Sequence, residues 1–337
     1  MQDYSKSVKI LKLKKIIIFL AFLFVLQNVF AQKFYWENPN SITNADSRFP
    51  VTIKVQDKDF LFWQEVDTKK KQIWISYRIY TSLDDYVQKE KAIGPFSYSN
   101  SNEVPDIFSV AKISKDTEAH VQDVIAISVL SGVSEVSVFT SLDYGQTFEK
   151  NTIRTTSSSF APRIYATNSN SFILFVSESK NSRFSILYST SNDGKKWSNI
   201  KSFSPTQDML NPFIPVLIPV KSTGQNLVVF QSQNANSQTG RLTYQLYAST
   251  SEDLNSWSAP VLLTNQNSLF KNEVRDYSVF QNQRPFLYEF NNELYITWER
   301  TDSITSSIWV SKVNVSSSAD LIYLDNSFKH ILGFVRY

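Results

Sequence analysis

The chain has 337 residues, 42% of them hydrophobic and 14% aromatic, with no cysteine and two histidines. This excludes disulfide staples, a zinc–thiolate site and a cysteine nucleophile. It also leaves too few imidazoles for a histidine-rich metal centre or a Ser-His-Asp triad, with His120 and His330 read as surface residues. The formal net charge of +3 belongs to the N-terminal segment.

That segment opens with Lys6, Lys9, Lys12, Lys14 and Lys15, continues as an apolar run from Ile16 to Leu26, and ends in Val29-Phe30-Ala31. The order basic, apolar, small-residue is that of a secretory signal peptide over residues 1–31, with cleavage after Ala31. The competing reading, an uncleaved anchor, is disfavoured because Gln27 and Asn28 cut the apolar run well below the ~20 residues that cross a bilayer. Without this segment, 34 basic and 31 acidic residues become 29 and 30, a net charge of −1. A near-neutral chain has no electrostatic claim on nucleic acid or on anionic membranes. The expectation is an exported protein, secreted or periplasmic, with no membrane span after cleavage, and residues 32–337 as a single domain.

Beyond residue 31, short runs rich in β-branched and aromatic residues follow one another. They are Asp59–Trp63, Gln72–Tyr80, Val124–Val129, Glu135–Thr140, Ser171–Val176, Phe184–Ser189, Asn226–Gln231, Leu242–Ser249, Glu293–Trp298 and Ser307–Val313. Clusters of Ser, Asn, Asp, Gly and Lys separate them, which reads as an all-β sandwich, barrel or propeller. The runs group into units that begin at Pro50, Pro105, Pro162, Pro215 and Pro285. Each reaches a third run and then a hairpin.

The hairpin recurs as Ser141-Leu-Asp143-Tyr-Gly145-Gln-Thr147-Phe148, Ser191-Asn-Asp193-Gly194-Lys-Lys-Trp197 and Ser251-Glu-Asp253-Leu-Asn-Ser-Trp257. A worn version stands at Ser82-Leu-Asp84-Asp85, and the four serines are 59, 50 and 60 residues apart. The chemistry is that of a turn: an Asp accepts nearby backbone N–H groups, a Ser helps close the loop, Gly supplies φ > 0, and an aromatic ring folds back as a plug. One hairpin reused at one place in every unit predicts an all-β β-propeller of four-stranded blades. Five repeats are recognisable. Thr264–Arg284, and Phe34–Trp36 with Ile331–Tyr337, are candidates for a further blade and for ring closure, so six blades are expected.

These hairpins resemble the Asp box, Ser-x-Asp-x-Gly-x-Thr-Trp, of the sialidase-like (BNR-repeat) propeller family, with Phe148 in place of Trp. The likeness covers most of residues 45–320. It implies that Ser141, Asp143, Gly145, Phe148, Ser191, Asp193, Gly194, Trp197, Ser251, Asp253 and Trp257 stabilise turns on the face opposite the family's active site. Arg48-Phe49-Pro50 resembles the family's Arg-Ile-Pro motif, whose arginine binds a sialic acid carboxylate together with two others. Arg163 and Arg284, each beside a proline, are candidates for those two, and their alternative role is that of ordinary strand-end arginines. Planar bidentate guanidinium donors suit a carboxylate.

Acids fall in the loops of the same face: Glu65 and Asp67, Glu178, and Glu299 beside Arg300. The resemblance implies Asp67 as acid/base, and a nucleophile drawn from Tyr277 or Tyr288 with Glu273 as its partner. The chain departs from the family at Val66. No metal or cofactor is expected. The functional expectation is a binding propeller that takes a glycan or protein ligand on the face opposite the hairpins. The alternatives are a sialidase-type glycoside hydrolase and a structural component of the cell envelope.

Overall fold

The strands of this chain come in runs of four that pair strictly in sequence order. The computed structural model describes residues 46–80, 91–98, 104–116, 121–235, 242–264, 280–301, 305–316, 322–324 and 329–335. Blade I holds β1 (Asp46–Val55), β2 (Lys58–Asp67), β3 (Gln72–Tyr80) and β4 (Lys91–Ser97). Blade II holds β5 (Phe108–Asp116), β6 (Val121–Gly132), β7 (Glu135–Ser141) and β8 (Glu149–Arg154). Blade III holds β9 (Ser158–Ala166), β10 (Phe172–Lys180), β11 (Arg183–Ser191) and β12 (Lys201–Ser202). Blade IV holds β13 (Leu210–Val220), β14 (Gln225–Ala235), β15 (Leu242–Ser251) and β16 (Val261–Leu262). Blade V holds β17 (Gln281–Phe290), β18 (Glu293–Thr301), β19 (Thr305–Val315), β20 (Ile322–Leu324) and β21 (Lys329–Val335). The one helix among the described residues is a single 3₁₀ turn, Ser204–Thr206. None is long and apolar enough to cross a membrane.

Among the described residues the blades number five, against the expected six, and most of the candidate segment Thr264–Arg284 lies outside those residues. The C-terminal run does not open a new sheet. It lies as β21 against β19, on the edge that β20 also uses, so the fourth position of blade V is filled by two short strands. The segment expected to act with it, Phe34–Trp36, lies outside the described residues. So do residues 1–31, His120, the worn hairpin at Ser82, Glu273 and Tyr277.

Packing explains the strand sequences. In β10 the run Phe-Ile-Leu-Phe-Val is apolar at every position because both faces are covered. Phe172, Leu174 and Val176 join a cluster with blade II, and Ile173 and Phe175 join one with blade IV. In β2 the alternation is cleaner, with Phe60, Phe62 and Val66 packing toward blade II. Among the described residues, four such clusters join blades I–II, II–III, III–IV and IV–V. Each fully buried Phe or Ile contributes about 1.5–3 kcal/mol relative to exposure. Neighbouring first strands (β1, β5, β9, β13, β17) lie side by side.

This connectivity gives the blades two distinct ends. The β1–β2 type hairpins and the recurring Ser-x-Asp hairpins share one end. The starts of the first strands and the turns between second and third strands share the other.

Candidate functional site

At the Ser-x-Asp end each hairpin carboxylate bonds within its own turn. Asp143 Oδ1 accepts Gln146 N–H at 3.1 Å and Thr147 N–H at 2.9 Å, its Oδ2 accepts the Thr147 hydroxyl at 2.6 Å, and Ser141 Oγ accepts Gly145 N–H at 2.8 Å. Asp193 and Asp253 repeat the pattern, each accepting two N–H groups at 2.7–2.9 Å. Burial opposes ionisation of Asp143, but the Thr147 hydroxyl and N–H, Ser141 and Gln146 N–H outweigh it and hold the carboxyl down at about 2. Gly145 and Gly194 sit at φ +74°, and a Cβ on Gly145 would lie 2.9 Å from the Phe60 ring. In the third hairpin Leu254 takes the left-handed position (φ 62°) and drives its side chain into the core between blades III and IV.

The aromatic plugs reveal why Phe148 serves where the other two hairpins use Trp. Trp197 and Trp257 each donate an indole N–H back to a turn carbonyl, of Gly194 at 2.8 Å and Leu254 at 3.3 Å. Phenylalanine has no donor. The carbonyl of Gly145 instead accepts the Tyr77 hydroxyl of blade I at 2.7 Å, and the Tyr77 and Phe148 rings meet edge to face at 5.7 Å.

The opposite end is built around broken first strands. In β1, β9, β13 and β17 the pairing register slips. The residue at the slip stands directly before a proline with φ near +50°: Phe49, Ala161, Ile214 and Arg284, with Asn211 a further case in β13. Proline offers no ladder donor and bars the α region to its predecessor, so the strand bulges there. Left-handed backbone at a non-glycine residue costs roughly 1–2 kcal/mol. At Ile214 and Arg284 the displaced N–H is accepted by a neighbouring blade. β5 carries no proline, and its pairing runs without a slip from Phe108 to Asp116.

These two bonds belong to a series of joints between blades. Gln64, fully buried, accepts Ile107 N–H at 2.7 Å and donates to the Pro105 carbonyl at 3.0 Å. Ser109 Oγ accepts Ile164 N–H at 3.2 Å, Ser177 Oγ accepts Ile214 N–H at 3.3 Å, and Gln231 Oε1 accepts Arg284 N–H at 2.9 Å. Gln64, Ser177 and Gln231 occupy one register position, opposite the residue that precedes the bulge. In blade V that position is Glu299, opposite Gln283. A carboxylate thus stands where three blades place a neutral group.

Arg48, Arg163 and Arg284 are each engaged by a different carboxylate. Arg48 forks onto Asp46 with two bonds of 3.0 Å, which raises its own pKa and lowers that of Asp46. Arg163 reaches Asp106 at 2.6 Å and the Pro162 carbonyl at 3.0 Å. Arg284 pairs with Glu299, which also accepts the Ser306 hydroxyl at 2.6 Å. Arg300 is buried, its guanidinium 3.9 Å from the Phe280 ring centroid and 4.7 Å from that of Trp309.

The acids divide in the same way. Glu65 accepts the Trp63 indole N–H at 3.1 Å. Asp67 caps the turn after β2, accepting Lys69 and Lys70 N–H at 3.0 Å each. The Lys70 N–H leads in holding its carboxyl below the usual range, so it stays ionised rather than poised as an acid. Glu178 is buried among hydroxyls, accepting Ser157 at 2.8 Å and Thr156 and Ser185 at 3.1 Å each. Tyr288 lies in β17 with its ring stacked 5.5 Å from Tyr295. The prolines and arginines of this end are legible in the sequence, whereas the joint residues Gln64, Ser177 and Gln231 are not. Their signal, a buried polar residue near the end of each second strand, was present but looked like ordinary strand polarity.

No protein-family model and no curated protein matches this chain. Solved structures with a likeness include an α-L-arabinofuranosidase of Fusarium graminearum in complex with arabinobiose, at 15% identity and TM-score 0.49, covering 86% of this chain and 82% of that one. Others are a thermostable family-43 glycoside hydrolase (14%, TM-score 0.42, covering 68% and 76%) and an endo-1,4-β-xylanase of Bacteroides thetaiotaomicron (11%, TM-score 0.39, covering 86% and 100%). At these scores the likenesses carry nothing about ligand or reaction.

Proposed function

We propose that this chain is an exported β-propeller that recognises a neutral carbohydrate at the bulged end of its blades. One observation carries the reading: Arg48, Arg163 and Arg284 are each already bonded to a carboxylate, Asp46, Asp106 and Glu299. A sialidase-type clamp requires guanidinium groups available to a ligand carboxylate. Paired charges instead present donors and acceptors side by side with little net field, which suits the hydroxyls of an uncharged sugar. The export part of the proposal rests on the pattern of residues 1–31.

The test is a glycan array carrying neutral and sialylated oligosaccharides, probed with wild type and Arg163→Ala. Neutral hits that weaken at least tenfold in the variant are expected. Preference for sialylated glycans would overturn the neutral-ligand reading, and an empty array would favour a structural role. N-terminal sequencing of the exported protein checks the export step, with Gln32 as the expected first residue.

A further inference from the structure

Near the turns that join first to second strands, a side chain locks each blade to the next, with one exception. Asp123 Oδ2 accepts Gln56 N–H at 3.0 Å between blades I and II, Asn170 Oδ1 accepts Ser114 N–H at 3.0 Å between II and III, and Asn226 Oδ1 accepts Asn168 N–H at 2.9 Å between III and IV. Among the described residues, blades IV and V share no such bond at this end. Lys221 Nζ instead pairs with Glu289, 3.2 and 3.1 Å from its two carboxylate oxygens. The cause is one residue. Asn226 stands second in β14, opposite Pro219, and the second residue of β18, opposite Glu289, is Leu294. Leucine offers no acceptor, and Leu294 packs against the core between blades IV and V. The two turns stand apart around a cavity of about 290 Å³ lined by Val220, Lys221, Ser222, Glu289, Asn292 and Leu294. Both walls come from blades that face each other, and no Ser-x-Asp residue lines it.

We propose that this cavity is a second saccharide site, separate from the bulged end, that holds a single neutral sugar ring such as the terminal unit of a glycan. The choice of ligand rests on the carbohydrate reading above, while the cavity itself does not. Its lining decides the chemistry. Lys221 and Glu289 cancel in charge, which leaves little field to hold an ionic ligand. Four of the six lining residues are polar, too many for a hydrocarbon one. A sugar ring matches both parts, a C–H face for Val220 and Leu294 and a rim of hydroxyls for Lys221, Ser222, Glu289 and Asn292. Hydroxyls bonded to ionised groups form stronger bonds than neutral pairs do. The pair a ligand would open is exposed on its lysine side, at 76%, so opening it costs little. Ligand cavities run from about 300 Å³ upward, and one at this lower limit suits one ring rather than a chain.

Ligand-observed NMR titration of the full chain with the methyl glycosides of glucose, galactose, mannose, xylose and arabinose tests this, alongside Arg163→Ala, Glu289→Ala and Leu294→Asn. At least one glycoside binds wild type, and it still binds Arg163→Ala, in which the bulged end is disabled. Glu289→Ala weakens that binding about tenfold at an unchanged melting temperature, as expected for a mostly exposed pair. Leu294→Asn gives blade V the acceptor that blade IV has, draws the turns together and removes binding, while the melting temperature holds or rises. Binding unchanged in Glu289→Ala and Leu294→Asn but lost in Arg163→Ala overturns the second site and leaves the bulged-end reading standing. A melting temperature that falls by several degrees in Glu289→Ala overturns it in favour of a purely structural pair. If no methyl glycoside binds wild type, this site falls, whereas the bulged-end reading falls only if the glycan array is also empty.

Discussion

The two ends of the blades use the same residue types for different purposes. At the Ser-x-Asp end, a carboxylate closes a turn formed by its own chain within four residues: Asp143 bonds to residues 146 and 147, and Asp193 to residues 195 and 196. At the bulged end the polar groups reach across blades, Gln231 to Arg284 over 53 residues and Arg163 to Asp106 over 57. Local bonds fix the shape of a hairpin whatever surrounds it. Non-local ones, which the Ser-x-Asp end also has in Tyr77 to Gly145 and Gln56 N–H to Asp123, fix the relation between blades, and at the bulged end they assemble polar groups at the proposed binding end. The contrast explains how an end can be rich in carboxylates and still be a scaffold.

Substitutions at the two ends separate these purposes. The largest effect belongs to Gly145→Ala, which forces a Cβ into left-handed backbone and 2.9 Å from the Phe60 ring. A loss of about 3 kcal/mol in urea unfolding is expected. Next is Gln231→Leu, which leaves the Arg284 N–H without its acceptor and costs about 1–3 kcal/mol by the same measurement. Asp143→Asn gives a smaller loss with a defined pH dependence. The folded carboxyl titrates at about 2 against an ordinary value of 3.8, so its stabilisation is complete above 3.8 and disappears as pH falls toward 2. Unfolding midpoints of wild type and variant should differ at neutral pH and converge at pH about 2. Arg48→Ala, which removes an exposed pair, leaves the midpoint unchanged within error. A large loss there would mean that the bulged-end charges hold the fold.

The sequence carried the four-strand unit and its turns because both are local. The alternation of β2 and the Ser-x-Asp spacing can be read without knowing what packs where. Blade number is not legible locally because it depends on where a terminal strand pairs, and β21 adds to the edge of β19 rather than founding a sheet. The site was legible by residue type alone. Arg48, Arg163 and Arg284 recur beside prolines, but their carboxylate partners stand 2, 57 and 15 residues away, and only the folded chain shows that each is engaged. Asp67 looked like an acid in a loop and proves to cap the turn that it begins. The exchange of Trp for Phe148 made sense only when Tyr77, from the preceding blade, was seen donating to Gly145.

The division of labour between the ends is tested most directly by one matched pair, Asp143→Asn and Glu299→Gln, each measured for unfolding midpoint and for affinity toward the best neutral glycan. The account predicts that Asp143→Asn lowers the midpoint and keeps the affinity, whereas Glu299→Gln lowers the affinity at least tenfold and keeps the midpoint. Affinity lost in Asp143→Asn and retained in Glu299→Gln would contradict it.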